Sequence, residues 1–376
     1  YEELVITTVS LPDATEGLYY EEYLDATGGD GNYTWSYSDS QLPSGLSWSV
    51  EGDRLKISGT PDVGTGGQTY TLDVGVHDGA QPYQQEDAQL TLWVEEAEEP
   101  KADFHVDVRW GEMTGGGFTV TFYDDSDGTI SQWEWDLDGD GFAEVSHTAP
   151  PGSFTYNYTQ AGWYTVTLTV YGPKGSSVCR RERYILVANE VWYVNGRNGD
   201  DTQTGEDWGS AFATIWRALV AAKGTLNDYD LILVADEVYS EHDLDYGGEK
   251  IYLKGIDHNN AGRRPIIDCG FAGRAFRFQN GEGRESVLDG FLIRNGLAGG
   301  VTPPDNCGGA ILMTGSSGPL VCNCEFVRNR VPYWGGAIMV EAGAPRIENC
   351  LFRSNYAHWY GGAIRCDENS APEIVG

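Results

Sequence analysis

Asp136-Leu137-Asp138-Gly139-Asp140-Gly141 places three carboxylates at alternate positions ahead of a glycine. That spacing can turn three hard oxygen donors onto one Ca²⁺ ion. A full calcium loop also asks for an acid at its twelfth position, where this chain has His147, and no helices are expected to flank it. An ordinary acidic turn is therefore the alternative. Other groups capable of acid–base or charge-stabilising work are scattered: Asp268, Asp289, Arg294, Asp305, Arg328, Arg353, His242 and His358. No spacing pairs two of their carboxylates for general acid and base roles, so no catalytic residue is assigned. Tyr333-Trp334 and His358-Trp359 offer aromatic faces of the kind that stack on sugar rings, with a packed turn as the alternative.

Repetition indicates what must position these groups. Gly-Gly-Ala-Ile stands at 308–311, 335–338 and 361–364, at intervals of 27 and 26 residues. Asn323-Cys324-Glu325-Phe326 returns as Asn349-Cys350-Leu351-Phe352, and a fainter copy begins at Asp289. Pro319, Pro345 and Pro372 keep the same step. A unit of this length, with glycine pairs, single asparagines and short apolar runs, has no room for two packed helices. Short strands and tight turns remain.

Period 2 puts Ile311, Ile338 and Ile364 on one inward face with Met313, Val340 and Cys366. Phe326 over Phe352 and Cys324 over Cys350 form further columns. Asn323 and Asn349, with Asp289 as the expected third member, suit a left-handed corner, and the glycine pairs suit another. In this alignment Arg294 and Arg328 share a register. Coils stacked about 4.8 Å apart would bury one continuous core that no single coil could bury alone.

On these residues the stretch 191–376 resembles right-handed parallel β-helix proteins of the pectin-lyase-like superfamily, with the Gly-Gly-Ala-Ile and Phe-x-x-Asn repeats of bacterial surface proteins. "YVNGRNGDDTQTGEDWGSAFATIWRALVAA" (193–222) is similar to that family's N-terminal cap, a Gly/Asp-rich loop leading to an amphipathic helix. Phe212, Ile215 and Leu219 recur at helical spacing, with Thr214 or Ser210 as N-cap. The first strands are expected in 228–241, 251–255 and 264–269. The resemblance implies polysaccharide lyases or hydrolases, whose acids, arginines or Ca²⁺-binding carboxylates sit on an outer face of the middle coils. None of their catalytic motifs stands here.

Two further textures precede the repeats. "LPSGLSWSVEGDRLKISGTP" (42–61) and "YTLDVGVHDG" (70–79) resemble the putative-Ig domain of bacterial surface proteins, whose matched residues are framework. "SDGTISQWEWDLDGDG" (126–141) with "FTYNYTQAGWYTVTLTVYGPKG" (154–175) is similar to the PKD domain, which usually acts as a spacer or a weak contact module. The expected class is all-β: sandwiches at 1–96 and 97–188, then the β-helix at 191–376. "EEAEEPK" (95–101) reads as a linker.

The chain of 376 residues carries a net charge of −33, and residues 1–99 hold 20 Asp or Glu against 2 Lys or Arg. Such a surface repels nucleic acid and anionic membrane. No apolar run is long enough to span a membrane. Chain ends at Tyr1 and at "APEIVG" are expected to be cut, the latter because the next Asn-Cys is due there. Seven cysteines, an odd number, argue against a closed disulfide framework and for buried thiols, although Cys324 and Cys350 would lie within bridging reach. Cys322-x-Cys324 is too tight for zinc and lacks a second pair.

Two functions follow as expectations. One is an extracellular, bacterial-type secreted or cell-surface protein for adhesion, contacting polysaccharide, surface glycan or surface proteins. Its sandwiches would act as spacers, and its one expected cofactor is Ca²⁺ at Asp136, Asp138 and Asp140. The other is a polysaccharide lyase or glycoside hydrolase with a truncated catalytic solenoid. The first carries more weight, because fold alone confers no activity and no carboxylate pair stands out.

Overall fold

The computed structural model describes residues 2–223 and 228–376; positions 1 and 224–227, inside the expected first and third domains, lie outside them. Among the described residues one α-helix and one 3-10 turn stand among strands, as the all-β expectation requires. The chain divides into two compact units. The first comprises 1–107, 121–155 and 164–184, and the second 108–120, 156–163 and 185–376.

In the first unit, alternation builds a β-sandwich. Along Gln85–Glu95, Leu90, Leu92 and Val94 are buried while the residues between them face outward. This strand lies between Ala14–Thr15 and Gln68–His77, and Thr34–Ser36 closes the sheet. The opposing sheet orders Tyr20–Leu24, Arg54–Gly59 and Leu46–Glu51. Leu24, Leu55, Ile57 and Leu72 fill the space between them. A second core gathers around fully buried Trp135, which meets Phe104, Phe122 and Phe154 edge-on at centroid distances of 5.3, 5.9 and 5.1 Å. Its strand, Gln132–Asp136, pairs antiparallel with both Val145–His147 and Gly162–Gly172.

In the second unit, parallel strands stack into three long sheets. The first sheet runs through Glu190–Val194, Tyr229–Ala235, Lys250–Ile256, Val287–Asp289, Leu320–Cys322, Arg346–Glu348 and Glu373–Val375. Val238–Tyr239, Ile266–Asp268, Leu292–Arg294, Glu325–Val327 and Leu351–Arg353 make the second. Phe276–Phe278, Ile311–Met313, Ile338–Gly343 and Ile364–Ser370 make the third. Every pairing in the three sheets is parallel, with successive coils in register except for a shift between Val340 and Ala342 in the third sheet. Ile311, Ile338 and Ile364 align, as do Met313, Val340 and Cys366. Phe326 and Phe352 stack at 5.0 Å with planes 8° apart.

An asparagine ladder supports the turn after the second sheet. Buried Asn329 accepts from Gly296 N at 2.8 Å and donates to Ile293 O and to Asn355 Oδ1. Asn355 in turn donates to Phe326 O at 2.9 Å. Each side-chain amide satisfies backbone groups that the winding would otherwise strand. At the start, the helix Ile215–Ala222 buries Ile215, Ala218, Leu219 and Ala222. Thr214 caps it, and the Glu241 carboxylate accepts from Ile215 N and Trp216 N.

Two sequence registers need correction. Phe326 pairs with Ile293, so Asn323 aligns with Gly290 and not with Asp289. Gly290 and Asn323 both take positive φ, 86° and 51°, so glycine solves the same corner in the earlier coil. Arg294 likewise pairs with Val327; Arg328 sits one residue on, in the left-handed region at φ 56°. The two arginines therefore share no column. All seven cysteines are free, and burial pushes the Cys324 thiol up.

Candidate functional site

The connection from the second sheet to the third differs in length between coils and is longest after Ile293. Ile293 to Ile311 spans eighteen residues, where Phe326 to Ile338 and Phe352 to Ile364 span twelve. The extra residues lie between the second and third sheets, in the Gly/Pro-rich stretch "LAGGVTPPDN" (297–306). Parallel strands hold fixed register, so added length must loop outward. This loop walls an open cleft of about 400 Å³ whose lining includes Asp243, Arg274, Arg277, Leu297 and Asp305.

The cleft brings together groups distant in sequence. His242 Nδ1 lies 2.8 Å from Asp243 Oδ2, and Arg277 Nη1 donates to Asp305 Oδ1 at 3.0 Å. Arg274 is 3% exposed, and its guanidinium donates to three loop carbonyls: Asp305 O at 2.7 Å, Cys307 O at 3.0 Å and Gly308 O at 3.2 Å. Burial lowers its pKa to about 10, and the neighbouring Arg277 adds to the shift. Arg274 thus stays charged at neutral pH and fixes the loop to the wall. Gly273 admits no side chain, since a Cβ there would lie 2.5 Å from Asp243 Oδ2 and 2.7 Å from His242 Nδ1.

The aromatic residues continue the same edge on the next coils. Gly308 N donates to Trp334 O, and Gly335 N donates to Tyr360 O, so the segments preceding each glycine pair stack in sequence. Tyr333 meets Trp334 at 5.8 Å and Trp359 at 6.3 Å, and His358 meets Trp359 at 5.8 Å. Tyr333 and Trp334 are half-buried against Cys307, Leu312 and Met339. Trp359 and Tyr360 are 59% and 60% exposed, and Arg365 lies 5.6 Å from the Trp334 ring. Trp359 and Tyr360 thus leave ring surface open to solvent, while Tyr333 and Trp334 pack inward.

Other sequence candidates stand apart from this edge. Asp289 is buried and accepts from Tyr252 Oη and Lys254 Nζ at 2.6 Å and from Asn323 Nδ2 at 2.8 Å. Burial would push its pKa up, but Lys254 and these donors outweigh that and hold it low. Trp110 lies over Lys254, so Asp289 is a sealed structural ion pair. Asp268 bonds Arg294 at 2.8 Å and Asn295 at 2.8 Å, which hold it ionised despite partial burial. Arg353 pairs with Glu325 at 2.8 Å.

At Asp136, Asp138 and Asp140 the fourth acid is Glu144, at the loop's ninth position and not its twelfth; all four offer oxygens within 4.8 Å of one another. The hairpin between Gln132–Asp136 and Val145–His147 brings it there. Asp136 accepts from Gly139 N and Gly141 N, Asp138 from Asp140 N, Asp140 from Phe142 N and Glu144 from Leu137 N. The loop is therefore shaped before any ion arrives. Four clustered hard oxygens fit Ca²⁺ in donor type. Partial desolvation first, and then the negative charges of Asp138 and Asp136, raise the Glu144 pKa. Its Asp-x-Asp-x-Asp-Gly-x-x-Glu spacing was the signal available in sequence.

The family described as PKD domain matches residues 97–187, and the Putative Ig domain family matches 3–93. The chain thus contains both domain types, and this composition supports an extracellular multidomain protein. Two relatives, the Pre-pro-metalloprotease PrtV of Vibrio cholerae serotype O1 strains M66-2 and ATCC 39315, are each 29% identical over 175 residues. The match covers 46% of this chain and only 18% of theirs. Among solved structures, titin domains z1z2 in complex with telethonin are 16% identical at a TM-score of 0.20, over 49% of this chain and 95% of that one. Fibronectin(III)-like modules of Clostridium thermocellum CbhA are 13% identical at 0.23, over 49% and 93%. Among the described residues, no helix is long and apolar enough to cross a membrane.

Proposed function

We propose that this is a secreted or cell-surface protein that contacts polysaccharide through the edge of a right-handed parallel β-helix of the pectin-lyase-like type, with sandwiches at 1–96 and 97–188 as spacers for a β-helix at 191–376. Right-handed winding follows the strong chirality of parallel strand connections. One observation carries the reading: a strip of aromatic rings, half-buried at Tyr333 and Trp334 and exposed at Trp359 and Tyr360, continues the edge that holds an open cleft lined by arginine and aspartate. Rings stack on sugar faces, and fixed charged groups orient hydroxyls or carboxylates. Calorimetric titration of the whole chain with a polysaccharide panel tests it. Trp359→Ala and Arg277→Ala are each expected to weaken binding about tenfold. Unchanged affinity in both variants defeats the reading.

The second reading, a polysaccharide lyase or glycoside hydrolase, is favoured by His242 seated on Asp243 beside Arg274 and Asp305. A neutral imidazole there would serve as a base, with arginine charge stabilising an anionic intermediate. New reducing ends, or ultraviolet absorbance from unsaturated sugar ends, lost in His242→Ala would establish it. Calcium at Asp136, Asp138, Asp140 and Glu144 belongs to the same proposal, as a rigidifier of the second sandwich.

A further inference from the structure

The first sandwich has a groove of its own. The 3-10 turn Asp39–Gln41 stands over the sheet formed by Thr34–Ser36, Gln68–His77 and Gln85–Glu95, beside an open groove of about 580 Å³. Ser36, Gly75 and Asp87 lie in one row across its floor. A Cβ at position 75 would collide with Asp87 Oδ1 and lie 2.7 Å from Ser36 Oγ. Glycine therefore lets two oxygens converge on one point.

Two residues along, Asp73 faces Gln89. Gln89 Nε2 donates to Asp73 Oδ1 at 2.9 Å, Gln41 Nε2 donates to Oδ2 at 2.6 Å, and Asp73 N donates to Gln41 Oε1 at 3.0 Å. These amide bonds, Gln89 first, hold the Asp73 carboxyl below its ordinary range, so it is an acceptor at neutral pH. Both amide planes are pinned, and among the described residues Gln89 Oε1 has no hydrogen-bond partner. Tyr37, 41% exposed, rests on Trp48 at 5.7 Å with planes 34° apart, which fixes its ring at the groove.

Planar amides and carboxylates at set spacing, next to one fixed ring, match the adjacent hydroxyls and apolar face of a sugar. The lining includes Asp73 and Asp87 and no lysine or arginine, in a segment already strongly acidic. A polyanion would be repelled there. We propose that this groove binds a neutral polysaccharide chain, which makes the first sandwich a binding module and not only a spacer. The site goes beyond the solenoid reading, since it lies in the first sandwich and its lining, unlike the cleft's, holds no arginine. An extended peptide adding to the edge strand is the other conceivable occupant, but that strand offers only three residues, Thr34–Ser36, and the floor is polar.

The test uses the whole chain with a soluble neutral β-glucan, a neutral galactomannan and polygalacturonate, followed by affinity electrophoresis and calorimetry. At least one neutral glycan is expected to bind, about tenfold more weakly in Tyr37→Ala and in Gln89→Ala and equally well in Trp359→Ala. Both groove variants should keep the wild-type melting temperature, because both side chains are exposed. Neutral glycans that fail to bind, or that bind independently of Tyr37 and Gln89, overturn the proposal, as does binding lost in Trp359→Ala. Polygalacturonate binding that ignores Trp359 counts against the solenoid reading alone.

Discussion

Replacing Asp230 with asparagine isolates the cost of one buried charge. Asp230 lies in Tyr229–Ala235, between Glu190 and Ile251 on the neighbouring strands, and is 3% exposed. Among the described residues its Oδ1 has no hydrogen-bond partner. Burial first, then the negative charges of Glu190 and Asp228, push its pKa from 3.8 to about 7. That difference corresponds to roughly 4 kcal/mol of penalty once the group is ionised in the folded state. Because the folded value lies above the unfolded one, the native state holds its proton longer. The contribution of Asp230 to stability is therefore most favourable below about pH 4, falls as pH rises to about 7, and stays reduced beyond that.

Asparagine removes the charge but leaves a buried amide that satisfies its partners only in part, a cost of about 1–3 kcal/mol. Asp230→Asn is therefore expected to stabilise the second unit by about 1–3 kcal/mol at pH 8 and to lose that advantage near pH 4. Urea unfolding followed by tryptophan fluorescence, repeated from pH 4 to 8, measures it. Parallel pH profiles for the two proteins would refute the reasoning, because they would mean that Asp230 is hydrated or paired in solution.

Phe326→Ala removes a fully buried ring stacked on Phe352 and is expected to cost about 3–5 kcal/mol in the same unfolding assay. Gly335→Ala forces a Cβ against Ile338 O at φ 64°, so a loss of about 1–3 kcal/mol and a lower melting temperature are expected. Asp138→Asn should abolish any rise in melting temperature that millimolar Ca²⁺ gives the wild type, while Asp305→Asn should leave it intact; equal responses would remove the calcium assignment.

The column of Ile311, Ile338 and Ile364 was legible because a repeated tetrapeptide and period 2 leave little freedom in how such coils stack. The helix cap at Thr214 was legible for the same reason: its chemistry is local. The fainter copy misled by one residue, since Gly290 and Asn323 meet one backbone demand with unlike side chains and only the strand pairing aligns them. The Asp136 loop could be seen, yet Glu144 joins it only through the hairpin that follows.

Sequence by itself determined which faces are apolar and where the backbone must turn, because burial and φ preferences act between near neighbours. Tertiary structure alone decided that Asp243 shares a cleft with Arg274 and Asp305, and that Ser36, Gly75 and Asp87 share one row. Such meetings depend on how many residues each winding consumes and which strands become neighbours, and those are properties of the whole packed core.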